Sequence, residues 1–330
     1  MKVGTISADR GSKAFGLVHV CSTSAWKVEL PVFVINGAHE GKTLALTAGV
    51  HPHEYTGIEA VYSVCRQLNP QKMHGSVIAV PIVNTPGFQR KERNYPIDNT
   101  NLHALFPGDP DGTGGYRITH FLDTEVISKS SAYLDNHGAD FEEVAPNHVI
   151  GVRTGNAKID SESEMLARCY DTKYFRFQRG EGSWPGKGNR ISALDYAVYK
   201  GIPSVLTEAG SQGGLNKTGQ LDQGDLHWNI DGIMNVLRYL GIIEGEPKLS
   251  NPAIITNEAH IRSKRAGLFF SKVPIESVVK KGQVVGEIRD LLGQTIEELV
   301  APMDGLVSLI WHHVATEEGV PLIQILEIPK

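Results

Sequence analysis

From about residue 43 onward, short apolar runs alternate with longer amphipathic ones, and no other feature constrains the chain as much. TLALTAG, beginning at residue 43, has the length and content of a buried strand. TGIEAVYSVCRQL (56–68) follows with Ile58, Val61, Tyr62, Cys65 and Leu68 on one face, the spacing of a helix. SVIAVPIV (76–83) is the next expected strand, and a loop rich in Pro, Asn and Gly covers 84–115. YRITHFLDTEVISK reads as a helix, SAYLDNHG and IPSVLTEAG as strands running out, and HWNIDGIMNVLRYLG (227–241) as a closing helix stopped by Gly241. Strands that alternate with helices imply an α/β fold in which a mixed, mostly parallel sheet is covered on both faces.

The composition changes near 246–252 (EPKLSNP), and no helical period follows. VVKKGQVVGEIRD (278–290) and LVAPMDGLVSLI (299–310) alternate apolar and polar residues between glycine turns, which predicts a small all-β unit. The expected organisation is a catalytic domain over 1–246, its first 40 residues a β extension, and a C-terminal barrel-sandwich over 247–330. The two β halves resemble those of a biotinyl or lipoyl domain. The turn between them, RDLLGQ, lacks the lysine that would carry such a cofactor, so a structural or gating role is expected.

Net charge is −5 and no long Lys/Arg run occurs, which argues against nucleic acid as a partner. No apolar stretch reaches the roughly 20 residues that span a bilayer. The opening MKVGTISADRGSKAFG has no apolar signal core, and Cys21, Cys65 and Cys169 are odd in number and far apart. Reduced thiols in a cytoplasmic protein are therefore expected. The oligomeric state stays open, a homo-oligomer included.

The polar residues of interest sit where strands run out, which in open α/β sheets is where ligands bind. GVHPHEYTG (49–57) holds His51 and Glu54 three apart at a strand–helix junction, a spacing that lets an imidazole and a carboxylate share one ion. The plainer reading is loop polarity plus a glutamate favoured at a helix N-terminus. His53 does not begin an H-E-x-x-H motif, because position 57 is glycine, and is expected to point away from the metal. YLDNHGAD (133–140) offers His137 as a third ligand, with Asp135 two residues earlier on the same face to orient a ligating imidazole. Glu208 ends a buried run; a water activated by a metal would give its carboxylate a partner, a salt bridge or helix cap being the plainer one. A His/His/Glu set of this kind favours zinc and leaves a position open for water. Glu208 is then the candidate general base, and Arg93, in the loop 89–108, the candidate for holding the oxyanion.

Taken together, GVHPHE, Arg93 through Asp98, Asp135-Asn-His-Gly138 and Glu208-Ala-Gly210 resemble the succinylglutamate desuccinylase/aspartoacylase family of the zinc carboxypeptidase clan. The likeness covers nearly the whole chain and is strongest to the bacterial branch that contains N-acetyl-diaminobutyrate deacetylase. It implies a carboxypeptidase-like αβα sandwich and one zinc ion per chain on His51, Glu54 and His137. It further implies Glu208 as base, Arg93 at the oxyanion, and hydrolysis of a small N-acyl amino acid or N-acyl amine. The family loop reads N-L-N-R-x-F-P-G, and its Asn-Arg pair grips a substrate carboxylate. Here the stretch is Asn101-Leu102-His103-Ala104-Leu105-Phe106-Pro107-Gly108, so Asn101 and His103 are the candidate substrate contacts and alanine replaces the arginine. Alanine cannot offer a bidentate fork. The substrate then lacks that carboxylate, or another cation (Lys91, Arg153 or Lys187) replaces the arginine, or activity is lost. His53 stands where the family often has Asp or Asn, and the acidic run Asp140, Glu142, Glu143 would favour a cationic substrate, a solvated loop being the plainer reading. The competing functions are a carboxypeptidase-type peptide hydrolase and a catalytically degenerate metal-binding protein.

Overall fold

The computed structural model describes residues 1–179, 190–311 and 314–328. One nine-stranded sheet organises most of them. Its strands in chain order are β1 (Ser12–Ser22), β2 (Lys27–Asn36), β3 (His39–Ala48), β4 (His74–Val80), β5 (Ala132–His137), β6 (His148–Arg153), β7 (Tyr174–Arg179), β8 (Ser204–Glu208) and β9 (Ala253–Ile255). Across the sheet they run β9-β7-β6-β8-β5-β3-β4-β2-β1. The central strands β4, β3, β5 and β8 are parallel. Beyond β8 the direction reverses, and β6, β7 and β9 run parallel to one another. β2 and β1 close the other side in antiparallel register. The sheet is therefore mixed and mostly parallel, and the first segment of the chain extends the same sheet.

Alternation along the strands divides the core. Leu44, Leu46 and Leu134 pack on the face covered by α1 (Tyr55–Gln67) and by the helix Gln223–Tyr239. Ala45, Ile78 and Tyr133 pack on the other, under Ile118 of the helix Gly114–Phe121 and Tyr196 of the helix Ala193–Tyr199. Both faces of the central strands are buried over Leu44–Ala48 of β3 and Ser204–Thr207 of β8, where helices cover the sheet on either side. The segment expected as one helix over 116–129 is divided. An α-helix ends at Phe121, a π turn occupies Leu122–Val126 and a 3-10 turn ends at Lys129. Among the described residues no helix is long and apolar enough to cross a membrane.

After β9 the chain forms antiparallel β structure. One sheet joins Glu258–Arg262, Pro321–Leu326, Gly305–Trp311 and Val278–Val279, and it takes in Glu143–Val144 from the loop after β5. A second joins Thr295–Val300, Val284–Arg289, Gly267–Ser271 and Ala315–Thr316. Ile261, Phe269, Val279, Val307 and Ile323 share the core between them. β9, past residue 246, hydrogen-bonds to the edge of the large sheet. Arg176 on β7 ties the two parts together: its Nε and Nη2 donate to Glu258 Oε2 at 3.1 and 2.8 Å, and its Nη1 lies 3.4 Å from His148 Nε2. His148 Nδ1 is 2.9 Å from the Pro146 carbonyl, so the proton belongs on Nδ1 and Nε2 accepts from the arginine. Burial and the adjacent guanidinium hold the His148 pKa down at about 3.

Candidate metal centre and active site

β3, β5 and β8 end side by side, and their register brings the chemistry together. Glu208 pairs with His137, and Thr47 pairs with Asp135. Two glycines make the convergence sterically feasible. Gly49 turns the chain out of β3 at φ +62, and a Cβ on Gly138 would come within 2.4 Å of the Ala209 carbonyl oxygen. The turn that follows brings Glu54 to the N-cap of α1, yet its carboxylate caps nothing. It turns instead between two imidazoles.

His51 Nδ1 lies 2.8 Å from Glu54 Oε1, and His137 Nδ1 lies 2.8 Å from Glu54 Oε2. All three residues are buried, and the two rings stand 5.0 Å apart, edge to face. The outer nitrogens are tied back: His51 Nε2 lies 3.1 Å from Asn101 Oδ1, and His137 Nε2 lies 3.2 Å from Asp135 Oδ2. Holding the far nitrogen of an imidazole against an oxygen fixes its tautomer and aims the near nitrogen. Behind Asp135 a buried relay continues, with Thr47 Oγ1 donating to Asp135 Oδ1 at 2.7 Å and lying 2.6 Å from Tyr133 Oη. Nothing in the sequence reading singled out Thr47 or Tyr133; a hydroxyl in an otherwise apolar strand was the available signal.

The side chains fit a divalent cation. One ligand atom from each of His51, Glu54 and His137 lies within 4.8 Å of the others, close enough for small side-chain adjustments to bring all three onto one ion with bonds of about 2 Å. Glu54 Oε2 is buried without an aligned hydrogen-bond partner, although His137 Nδ1 lies 2.8 Å away. An unsatisfied buried carboxylate oxygen between two imidazoles is consistent with a place for a cation. His103, Asp135 and His137 form a second grouping of the same span, sharing His137. There His103 Nδ1 is 3.9 Å from Asp135 Oδ2 and has no hydrogen-bond partner.

The charges follow from burial and proximity. Burial would raise the Glu54 carboxyl, but the flanking His137 and His51 more than offset it and leave it below the usual range. Burial would lower His137, but Glu54 and Asp135 raise it well above an ordinary imidazole. Burial and the neighbouring His137 push His103 down to about 3, so it is neutral at pH 7. Glu208 goes the other way: burial first, then the Glu54 charge, push it up to about 8. A cation held by Glu54 would pull it back toward the carboxylate.

Arg93 reaches this group from the loop after the short helix Thr85–Arg90. Its Nη1 is 3.9 Å from Glu54 Oε1 and donates to Asp140 Oδ2 at 2.6 Å. Asp140 is 8% exposed and so departs from the reading of Asp140, Glu142 and Glu143 as a solvated loop, whereas Glu142 is exposed and Glu143 half-buried. His53 faces Asp140 too, Nδ1 to Oδ1 at 3.1 Å, and so turns away from the His51–Glu54–His137 group. Glu143 accepts from Trp311 Nε1 at 3.1 Å. Asn101 Oδ1 lies 3.1 Å from His51 Nε2 and accepts from the His103 backbone N–H at 3.0 Å. Arg153 lies over Phe177 on the opposite face of the sheet, Lys91 is exposed in a left-handed turn, and Lys187 lies outside the described residues.

Residues 40–224 match the model of the succinylglutamate desuccinylase/aspartoacylase catalytic domain, more than half of the chain. The chain belongs to this family. Within the family's reach it is similar to N-alpha-acetyl-L-2,4-diaminobutyric acid deacetylase of Halomonas elongata, at 29% identity over 298 residues, 86% of this chain and 82% of that one. The fold is shared with the succinylglutamate desuccinylase/aspartoacylase of Rhodobacter sphaeroides, at TM-score 0.86 and 24% identity, covering 98% of this chain and 99% of that one. It is also shared with the product-bound ectoine utilization protein EutE of Ruegeria pomeroyi, at TM-score 0.84 and 24% identity, covering 98% and 97%. Those family structures match the C-terminal β sheets as well as the large sheet, since the coverage is nearly complete.

Proposed function

We propose that this desuccinylase/aspartoacylase family member is a zinc-dependent amidohydrolase that removes the acyl group from a small N-acyl amino acid or N-acyl amine. The observation that carries this reading is the aim of the two imidazoles. Both Nδ1 atoms face the Glu54 carboxylate, both Nε2 atoms are tied back, and Glu208 stands in register with His137. The acetyl-diaminobutyrate deacetylase relative supports an N-acyl substrate for this chain.

His51, Glu54 and His137 would hold one zinc ion, which when bound would polarise the acyl carbonyl and acidify a water. Glu208 takes one proton from the attacking water and gives it to the amine nitrogen as the C–N bond breaks, so the water's oxygen stays on the acyl carbon and the nitrogen leaves as an amine and not as an amide anion. Arg93 donates to the oxygen that becomes negative in the tetrahedral state. Asp135, backed by Thr47 and Tyr133, keeps His137 in one orientation. Ala104 supports a substrate with no carboxylate at the family position, and weighs against a carboxypeptidase, which needs one there. The intact Glu208 and Arg93 weigh against a degenerate protein. Free Cys21, Cys65 and Cys169 support a cytoplasmic setting.

Amine release from paired N-acetyl compounds tests the reading, each pair an amino acid and its carboxylate-free or amidated counterpart, with Glu208→Gln as blank. Hydrolysis of the neutral partners at least as fast as the acids is the expected result. Cleavage confined to the acids would show that another cation has replaced the arginine. No release from any member, under conditions where zinc is bound, would defeat the proposal.

A further inference from the structure

Arg93 brings a cation to this site, its Nη1 3.9 Å from Glu54 Oε1, and an arginine serves an oxyanion best when its planar head is held in place before substrate arrives. Three observations bear on what holds it. First, Glu54 Oε1 stands 3.9 Å from Arg93 Nη1, so the arginine has a competing anion among the residues that would bind metal. Second, Asp140 Oδ2 accepts from the same nitrogen at 2.6 Å and so draws it away from Glu54. Third, Asp140 is itself fixed on every side. Its Oδ1 accepts from the Phe141 N–H at 2.8 Å and faces His53 Nδ1 at 3.1 Å, and its own N–H donates to Glu143 Oε2 at 3.2 Å. The His53 ring lies 4.6 Å from that of Phe141, which closes the brace. A buried carboxylate with this many partners costs too much to be loop polarity.

We propose that Asp140 is the positioning residue for Arg93: it keeps the guanidinium off Glu54 and aimed at the developing oxyanion, with His53 bracing Asp140 in turn. The arrangement explains a histidine at position 53, since His53 can donate a hydrogen bond to Asp140 whereas a carboxylate there would repel it. The idea rests on the role given to Arg93 above, and a double-variant cycle separates the two.

The zinc-loaded enzyme is assayed on whichever N-acetyl compound of the panel it cleaves fastest, as wild type, Asp140→Asn, Arg93→Ala and the double variant. Arg93→Ala should lower kcat by about 100-fold, the usual effect of losing one oxyanion donor. Asp140→Asn should lower kcat by about 10- to 100-fold with KM changed less than about threefold, and the double variant should be no slower than Arg93→Ala alone. A second readout is the rate at which a chelator strips zinc. It should rise in Asp140→Asn, where Arg93 is released onto Glu54, and return to the wild-type rate in the double variant. Asp140→Asn within twofold of wild type, losses that multiply in the double variant, or faster stripping that persists there, would each overturn the proposal. An unchanged Arg93→Ala would instead defeat the oxyanion role itself. Should asparagine prevent folding, Asp140→Ser, which removes the charge with a smaller side chain, is carried through the same cycle.

Discussion

Glu208 offers a test that needs no substrate. In the metal-free protein its carboxyl stands at about 8 against an ordinary 4.5, chiefly through burial and then through the Glu54 charge. At 1.36 kcal/mol per pH unit, that difference amounts to about 5 kcal/mol. The residue is half-buried rather than fully buried, so screening reduces the effect, and we expect about 2–5 kcal/mol. The sign follows from proton binding. Between 4.5 and about 8 the unfolded chain has released the proton that the folded chain still holds, so stability falls as pH rises through this window. Below 4.5 both states are protonated and nothing is lost; above about 8 both are ionised and the loss is complete. Glu208→Gln is neutral throughout and removes this fall. For a chain of 330 residues the unfolding entropy makes each kcal/mol worth about 1.5 °C. After removal of metal by a chelator, thermal unfolding of the two proteins should therefore agree near pH 4.5 and separate by about 3–7 °C at pH 8.5, the variant melting higher. Added zinc should shrink the separation, because a cation beside Glu54 favours the Glu208 carboxylate. Parallel Tm curves across the whole range would show that Glu208 titrates normally and that the electrostatic picture of the site is wrong.

Other consequences are as direct. Wild-type protein should bind one equivalent of zinc by elemental analysis, and His51→Ala or His137→Ala should lose it; loss in His103→Ala with retention in His51→Ala would place the ion at His103, Asp135 and His137 instead. Asp135→Asn keeps the size of the side chain but not the charge that orients His137, and should cost about 10- to 100-fold in metal affinity, read by competition with a chromogenic chelator. Unaltered affinity would remove Asp135 from the site. Glu258→Gln strands Arg176, which is buried, and should destabilise the protein by about 3–5 kcal/mol in chemical denaturation. A change below about 1 kcal/mol would mean that the tie between the large sheet and the C-terminal strands is held by apolar packing alone.

What could be read in advance was local. Strand and helix periods predicted the alternation, and the residues at strand ends pointed to one site because α/β sheets bind ligands there. His51 and Glu54 share a turn, and Asp135 and His137 share a strand face, so their relations needed no knowledge of the rest of the chain. The boundaries of the 116–129 segment were not legible, because a π turn and an α turn place apolar residues on nearly the same side.

The sequence by itself determined which side chains were available and on which face of each element they stand. Only the tertiary structure decided which of them meet. The strand order β6-β8-β5-β3 puts Glu208 beside His137, and no residue in those strands encodes that neighbour by its own period. Asp140 reaches Arg93 across 47 residues and Arg176 reaches Glu258 across 82, so neither pairing follows from spacing. The physical reason is the range of each effect. Backbone conformation is set by neighbours a few residues apart, whereas a buried charge is stabilised by whatever partner the packed core brings within a few ångströms.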